Sequence, residues 1–456
     1  MNILHYSLGI YPERQGGLVR YSTDLAMEQA KQNTVYYLCP GKLGIVDKKV
    51  RLVKGKRTNN LIVYIIQNAL PIPIYGGITN IDIYTRPVDQ GIYEEFLIEK
   101  NINIIHIHSL MGVHVEFLRA ARRLNIPILM TTHDFFGLCL ITTLYKRGDV
   151  CDEKSIGSHC YDCSQNAHSY YKLAMGQTVL YKKLKSTSIV GALRKKVLLR
   201  DPDQEKKGTT ITIPNVYPEY TRLNAYYKEC FSYITSFLFN SSQTEEVYKS
   251  RLGSLSGEII PLLLPTITDK RRKRSFLSDG VLHVGFMGEC TEFKGYFKLK
   301  KTVEELAKEN YNIELDVYND NVVEDGFIKK KGSYQSEELD RIYDFLDLVS
   351  VPSRCYETLS FVALEAIAGG MPCLVSDHVG AKDFVEDGKT GYVFKTDDSN
   401  SLKNALKKLL LNPNELGIIN DNILCGQYNF EFEDHCRRIV DKYDSVLKSL
   451  DNKHFI

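Results

Sequence analysis

VSVPSRCYETLSFVALEAIAGGMPCLVSDHVGAKDFVEDGKTGYVF, from Val349 to Phe394, is the stretch on which the reading of this chain turns. An apolar run ends at Pro352-Ser353, a loop carries Glu357, and a helix starts near Ser360 and holds Glu365. Two carboxylates therefore flank one helix N-terminus, and at about 1.5 Å of rise per residue they stand roughly 12 Å apart. The unpaired N–H groups and the dipole of such a helix start favour an anion. A ligand with phosphate in its middle and hydroxyls at both ends, as in a nucleotide sugar, fits that spacing. A pair of solvated helix glutamates is the plainer alternative.

Outward from this stretch, short apolar runs alternate with helical segments. Leu282 to Met287, Phe297 to Lys308, Ile313 to Tyr318, Glu337 to Phe345, Leu348 to Val351, Ser360 to Ala368 and Cys373 to Ser376 follow one another in that way. The same alternation opens the chain, with Asn2 to Tyr6, Tyr21 to Lys31, Val35 to Cys39, Ile102 to His108, Val113 to Leu124 and Ile126 to Thr131. Short strands separated by helices indicate parallel sheets covered on both faces. The fold class is α/β, with two Rossmann-like halves facing a cleft. The first half spans 1–265 with an insertion at about 137–218, a polar linker spans 266–280, and the second half spans 281–429. Residues 430–456 form a closing helix with Ile439, Tyr443, Val446 and Leu447 on one side.

With 456 residues the chain is long enough for two or three domains. Lys and Arg number 58 against 56 Asp and Glu, a net charge of +2, and 43% of residues are hydrophobic. That balance belongs to a globular protein and excludes wholesale nucleic-acid binding, which needs a large basic excess. No run approaches the roughly 20 apolar residues of a membrane crossing. The N-terminal sequence has no export signal pattern, and eleven cysteines are an odd number for a disulfide framework. A reducing, cytoplasmic setting is expected, free or peripheral on the inner face of the membrane.

The frame Pro352-Ser353, Glu357, Leu364-Glu365-Ala366, Gly370-Met371-Pro372, Gly380, Val385, Asp387-Gly388 and Gly391 resembles the donor-binding signature of glycosyltransferase family 4, retaining enzymes of the GT-B fold. The resemblance implies that Glu357 meets the donor sugar, that Glu365 binds the ribose, and that the amides around Leu359 and Ser360 meet the diphosphate. It extends to Gly285-Phe-Met-Gly288-Glu-Cys-Thr-Glu-Phe-Lys294-Gly295. There Gly288 lets phosphate approach the backbone, and Lys294 stabilises the charge that builds on the leaving diphosphate. Many family members carry Arg directly after the glycine; this chain carries Glu289. In the first half, Gly16-Gly17 resembles the glycine loop that faces the cleft, although a plain tight turn explains it equally well. The family also places a histidine at the end of the strand Ile105-His106-Ile107-His108. Alternation puts His106 and His108 on one side. His108, nearer the strand's C-terminal edge, is assigned to the donor; a structural histidine is the alternative. His133-Asp134 is a second cleft candidate.

Cys139, Cys151, Cys160 and Cys163 have the composition of a closed structural zinc site, with His159 as a substitute ligand, or of a set of reduced thiols. From Tyr170 to Arg200 the chain carries Lys172, Lys182, Lys183, Lys185, Arg194, Lys195, Lys196 and Arg200 with no acid. This is a surface for anionic lipid headgroups, or a solvated helix face. The basic run Lys270 to Arg274 is expected to be a solvated linker face.

The resemblance implies a retaining glycosyltransferase that moves a sugar from a UDP- or GDP-sugar to a glycan, lipid-linked acceptor, in polysaccharide assembly. Its catalytic residues would be Glu357, Lys294 and His108, and no catalytic metal is needed. A silent partner subunit that binds a glycan or another transferase is the alternative, favoured by Glu289. A sugar-nucleotide epimerase leaves the full frame unexplained.

Overall fold

The structure, a computed structural model, describes residues 1–58, 60–73, 76–146, 148–176, 219–398 and 400–451. Among these, two parallel sheets dominate. In the first, β1 (Asn2–Tyr6), β2 (Thr34–Pro40), β3 (Arg51–Lys54), β4 (Ile62–Gln67), β5 (Ile104–Ile107) and β6 (Ile128–Thr131) join two later strands, β9 (Ser236–Phe239) and β10 (Gly257–Ile259). The order is β10-β9-β6-β5-β1-β2-β4-β3, parallel except where β3 runs against β4. A small hairpin of β7 (Tyr145–Lys146) and β8 (Asp149–Val150) lies in the expected insertion.

The second sheet contains β11 (Leu282–Phe286), β12 (Ile313–Val317), β13 (Ile328–Lys330), β14 (Leu348–Val351), β15 (Cys373–Ser376) and β16 (Gly391–Phe394). Its order is β13-β12-β11-β14-β15-β16, all parallel. Every residue of β5, β6, β9, β11, β14 and β15 is buried. Helices on both faces require such continuous apolar strands. In each sheet the chain reverses its direction of growth beside the first strand, between β1 and β5 and between β11 and β14. Ligands of open α/β sheets bind at such switch points, outside the C-terminal strand ends.

The two halves share a core. Tyr21 and Leu25 of the first pack in one apolar cluster with Leu262 to Leu264, with Leu299 and Leu364 of the second, and with Ile439 and Tyr443 of the terminal helix. That helix, Phe432–Asp451, returns to the first half, where Tyr21 Oη and His435 Nε2 are 2.8 Å apart and Lys442 pairs with Glu258 at 3.0 Å.

The basic run at 270–274 is only partly the solvated face expected of it: Lys270, Arg272 and Lys273 are exposed, whereas Arg271 and Arg274 turn inward. Arg274 is buried, donating to Gly369 O at 2.8 Å and to Asp344 Oδ1 at 2.7 Å, and Arg271 donates to the carbonyls of Ile423 and Gly426. Carboxylates and free helix-end carbonyls of the second half hold these cations, and their sequence positions lie about 70 to 155 residues away, beyond local pattern. Of the basic stretch, Lys172 sits exposed on the helix Tyr170–Gly176, while Lys182, Lys183, Lys185, Arg194, Lys195, Lys196 and Arg200 lie outside the described residues. No helix among the described residues is long and apolar enough to cross a membrane.

Candidate active site

Loops from the C-terminal ends of β6, β11 and β14 meet the start of the helix Gly17–Gln29 across a cleft of about 450 Å³. Its walls include Gly17 and His133 from the first half and Gly288, Lys294, Glu357, Leu359 and Ser360 from the second.

Lys294 ends the loop after β11, and Gly295 caps the helix Tyr296–Lys308 in a left-handed conformation at φ 75°. A Cβ at Gly295 would lie 1.8 Å from the Pro352 carbonyl oxygen, so only glycine lets the β14 loop pass this close. That approach brings Lys294 Nζ to 2.9 Å from Glu357 Oε1, which also accepts from Ser353 Oγ. Burial works against the Lys294 charge, but Glu357 and Cys355 outweigh it and hold the ammonium above its ordinary pKa.

Glu357 is fixed by its backbone: its N–H donates to His378 O at 3.0 Å and its carbonyl accepts from Gly380 N at 2.9 Å. The next residue ties the halves together. Thr358 O accepts from Ser241 Oγ at 2.9 Å and Thr244 Oγ1 at 3.1 Å, and Thr358 Oγ1 donates to His133 O at 3.1 Å. Ser360 then opens the helix Phe361–Ala368, its Oγ accepting from Ala363 N at 3.4 Å. Leu359, Ser360, Phe361 and Val362 line the cleft at that helix start, where the first amides have no partner within the helix.

Glu365 stands farther along this helix, half-buried. Burial pushes its carboxyl up to about 7 against the opposing pull of Arg20, and Tyr334 and Tyr343 are close enough to feel its charge. Gly16 has φ 131° just before the helix Gly17–Gln29, and a Cβ on Gly17 would be 3.1 Å from Phe361 Cε2, a second close approach of the halves. Glu289 lines a separate cavity of about 240 Å³ with Lys300 and Asn319 and is not among the residues that line the cleft, although its charge still reaches Lys294. Its carboxylate therefore does not occupy the anion seat.

His108 does not line the cleft. It is fully buried, with Nε2 3.1 Å from His5 Nδ1 and Nδ1 3.1 Å from His133 Nε2. Alternation along β5 fixes a face but not a depth, and the neighbouring strand end carries His133 into the position expected of His108. Burial pushes the His133 ring down to about 3, so it is neutral near pH 7. Asp134 turns aside, accepting from Ser109 Oγ at 3.0 Å and Phe136 N at 2.8 Å.

Two seam contacts escape the sequence reading. One is the Ser241 and Thr244 grip on Thr358. The other is Asp383, whose carboxylate accepts from Ser242 N at 2.6 Å and Ser242 Oγ at 2.5 Å. Ser241 precedes the helix Ser242–Leu252 and its Oγ accepts from Thr244 N; a serine ahead of a helix is the local signal by which it could have been found.

The cysteines Cys139, Cys151, Cys160 and Cys163 are free thiols that feel one another's charge; burial pushes Cys160 up to about 12 and Cys163 up to about 11. No three of them have sulfurs within 4.8 Å of one another, unlike two other groups among the described residues, His5, His106, His108 and His283, Glu314, Asp316. The thiols as placed do not fit a tetrahedral zinc cage, whose ligands converge on one ion at about 2.3 Å.

Two Rossmann-like domains whose switch points face one cleft define the GT-B class of architecture. The model for glycosyl transferases group 1 matches residues 268–423, and that for glycosyltransferase family 4 matches residues 15–151. The two together span more than half of the chain, which belongs to this glycosyltransferase family.

Among curated proteins, the lipopolysaccharide 1,2-N-acetylglucosaminetransferase of Salmonella typhimurium is 26% identical over 233 residues, 43% of this chain and 60% of that one. A D-inositol 3-phosphate glycosyltransferase of Nocardia farcinica is 30% identical over 111 residues, 24% of each chain. The matches thus span 60% or less of these relatives' length. Among solved structures, Anabaena HepE in complex with UDP superposes with a TM-score of 0.56 at 13% identity, over 98% of this chain and 100% of that one. Sucrose-phosphate synthase of Thermosynechococcus elongatus gives 0.53 at 15% identity, over 98% and 99%. At such identities the likeness is one of fold.

Proposed function

We propose that this protein is a retaining glycosyltransferase that moves a sugar from a nucleoside diphosphate sugar, of the UDP or GDP type, to a hydroxyl of a glycan. The observation that carries the reading is the Lys294–Glu357 pair beside the helix start at Ser360, inside a cleft walled by both halves. The diphosphate lies against the amides at Leu359 and Ser360, with the Lys294 ammonium beside its leaving oxygen. Glu357 accepts from hydroxyls of the donor sugar, and Glu365 accepts from the ribose. As the bond from the sugar to the phosphate oxygen breaks, the acceptor oxygen bonds to the same face of the sugar, and its proton passes to the departing phosphate oxygen. Lys294 and the helix dipole bear the charge that develops there. This chemistry requires no metal.

The acceptor we propose is a lipid-linked glycan of surface polysaccharide assembly, met at the inner face of the membrane; the acid-free basic stretch from Tyr170 to Arg200 supports that placement. A partner subunit without turnover is the competing reading, drawn from Glu289 in place of a second cation.

One experiment separates them. Thermal shift against UDP-, GDP-, dTDP- and ADP-sugars, with Glu365→Ala as control, names the donor, since a ligand of the folded state raises Tm by mass action. Release of the nucleoside diphosphate upon adding a lipid-linked acceptor, lost in Glu357→Ala, supports transfer. Binding with no release by any acceptor supports the silent subunit.

A further inference from the structure

A line of buried side chains runs from the cleft through the first half to the terminal helix. His133 Nε2 lies 3.1 Å from His108 Nδ1, His108 Nε2 lies 3.1 Å from His5 Nδ1, and His5 Nε2 lies 2.8 Å from Gln29 Oε1. The Gln29 amide nitrogen donates to Tyr443 Oη at 3.3 Å, which lies 2.6 Å from His106 Nδ1; His106 Nε2 is 2.7 Å from Thr131 Oγ1. His5, His106, His108 and Tyr443 are wholly inaccessible, and Gln29 is 3% exposed. The ring atoms of His5, His106 and His108 are close enough to share a metal ion. Both nitrogens of each ring are, however, already in hydrogen bonds.

Burial pushes His5 down to about 4 and the His108 ring well below its ordinary range, so both are neutral. A neutral imidazole has one N–H and one bare nitrogen, and the partner of one decides the state of the other. Gln29 Oε1 can only accept, so the His5 proton sits on Nε2 and Nδ1 is bare. His108 must then donate from Nε2, which leaves its Nδ1 bare, and His133 must donate from its own Nε2. The remaining nitrogen, His133 Nδ1, has no partner among the described residues and belongs to a side chain that lines the cleft.

We infer that Gln29, His5 and His108 form a positioning relay that fixes the tautomer of His133, so that its Nδ1 meets the ligand as a hydrogen-bond acceptor. The site takes a neutral hydroxyl group there and disfavours a group that can only accept. That the hydroxyl belongs to a sugar rests on the transfer reading above; the tautomer does not.

The test is an imidazole nitrogen–proton correlation spectrum of the full chain with ¹⁵N-labelled histidine, His133 being assigned by its loss in His133→Asn. The expected wild-type pattern is a protonated Nε2 and a bare Nδ1. A protonated Nδ1, as the opposite hydrogen-bond order with a turned Gln29 amide would give, overturns the relay. In Gln29→Leu, which offers His5 Nε2 no acceptor, the two tautomers should mix. A His133 pattern unmoved in Gln29→Leu also overturns it, and if that variant does not fold, the wild-type spectrum still decides. Donor KM should rise roughly 3- to 10-fold in Gln29→Leu, the worth of one hydrogen bond. Absence of any turnover in wild type sinks the transfer reading and leaves the spectrum to judge the relay.

Discussion

The Lys294 ammonium sits 2.9 Å from the Glu357 carboxylate, although 63 positions separate them in the chain. Each comes from the loop after a strand beside the switch point of the second sheet, β11 for Lys294 and β14 for Glu357. The pair holds a positive charge beside the helix start at Ser360, where a diphosphate would gain charge as its bond to the sugar breaks. Removing the cation as Lys294→Met should lower kcat by roughly 10²–10³-fold, the cost of losing one positioned electrostatic partner. Nucleotide release measured at saturating donor checks this; an unchanged kcat would remove Lys294 from the reacting centre.

If Glu365 holds the donor ribose, as proposed, its rise to about 7 by burial with Arg20 opposing should make donor binding depend on pH. A ribose diol donates to the ionised carboxylate, so affinity should rise up to about tenfold from pH 6 to pH 8. Titration calorimetry should find that rise in wild type and a flat profile in Glu365→Gln. The same shift acts on stability with a definite sign. Below the ordinary glutamate pKa of about 4.3 both folded and unfolded forms are protonated; between there and about 7 only the unfolded form ionises, so this group lowers stability as pH rises through that window.

Gly295→Ala should destabilise the fold by roughly 1–3 kcal/mol, since a side chain there combines a left-handed φ with a contact to the Pro352 carbonyl that must open. Urea denaturation checks it. Gly17→Ala, with ordinary backbone freedom and a contact only to the Phe361 ring edge, should cost less.

Asp383 reaches from the second half to the start of the helix Ser242–Leu252 in the first, where its charge suits the helix dipole. Asp383→Ala should favour an open cleft, with a larger radius of gyration in solution scattering and a donor KM raised about two- to fivefold, the usual worth of such a charge. An unchanged scattering profile with unchanged KM would show that this contact does not hold the halves together.

No three sulfurs of Cys139, Cys151, Cys160 and Cys163 as placed lie within 4.8 Å of one another, and on that placement they are expected to hold no metal. Metal chelators should leave the melting temperature where it was, and a zinc indicator should stay silent when the protein unfolds. Release of one zinc per chain, together with a fall in Tm on chelation, would show that the four sulfurs close on an ion.

The alternation of apolar runs with helical segments was enough to determine two α/β halves, because a strand buried on both faces must be apolar along its length and the helices between must present one apolar side. The frame around Glu357 and Glu365, with Lys294-Gly295 ahead of it, was legible for a similar reason: glycine, helix-start residue and carboxylate are each demanded by local geometry. Depth, direction and distant partnership were not. His106 and His108 share a face of β5, yet which ring meets the cleft depended on His133 arriving from β6 and on His5 lying behind. Glu289 follows Gly288 in sequence, but only the packed loop places it on a separate cavity rather than among the cleft-lining residues. Lys270, Arg272 and Lys273 are exposed as read, but Arg271 and Arg274 read as solvated until the carbonyls near Ile423 and the Asp344 carboxylate were brought to them. Local sequence sets periodicity and backbone freedom over a few residues, whereas burial and charge pairing are set by whatever the fold places alongside from far along the chain, and only the tertiary structure decides that.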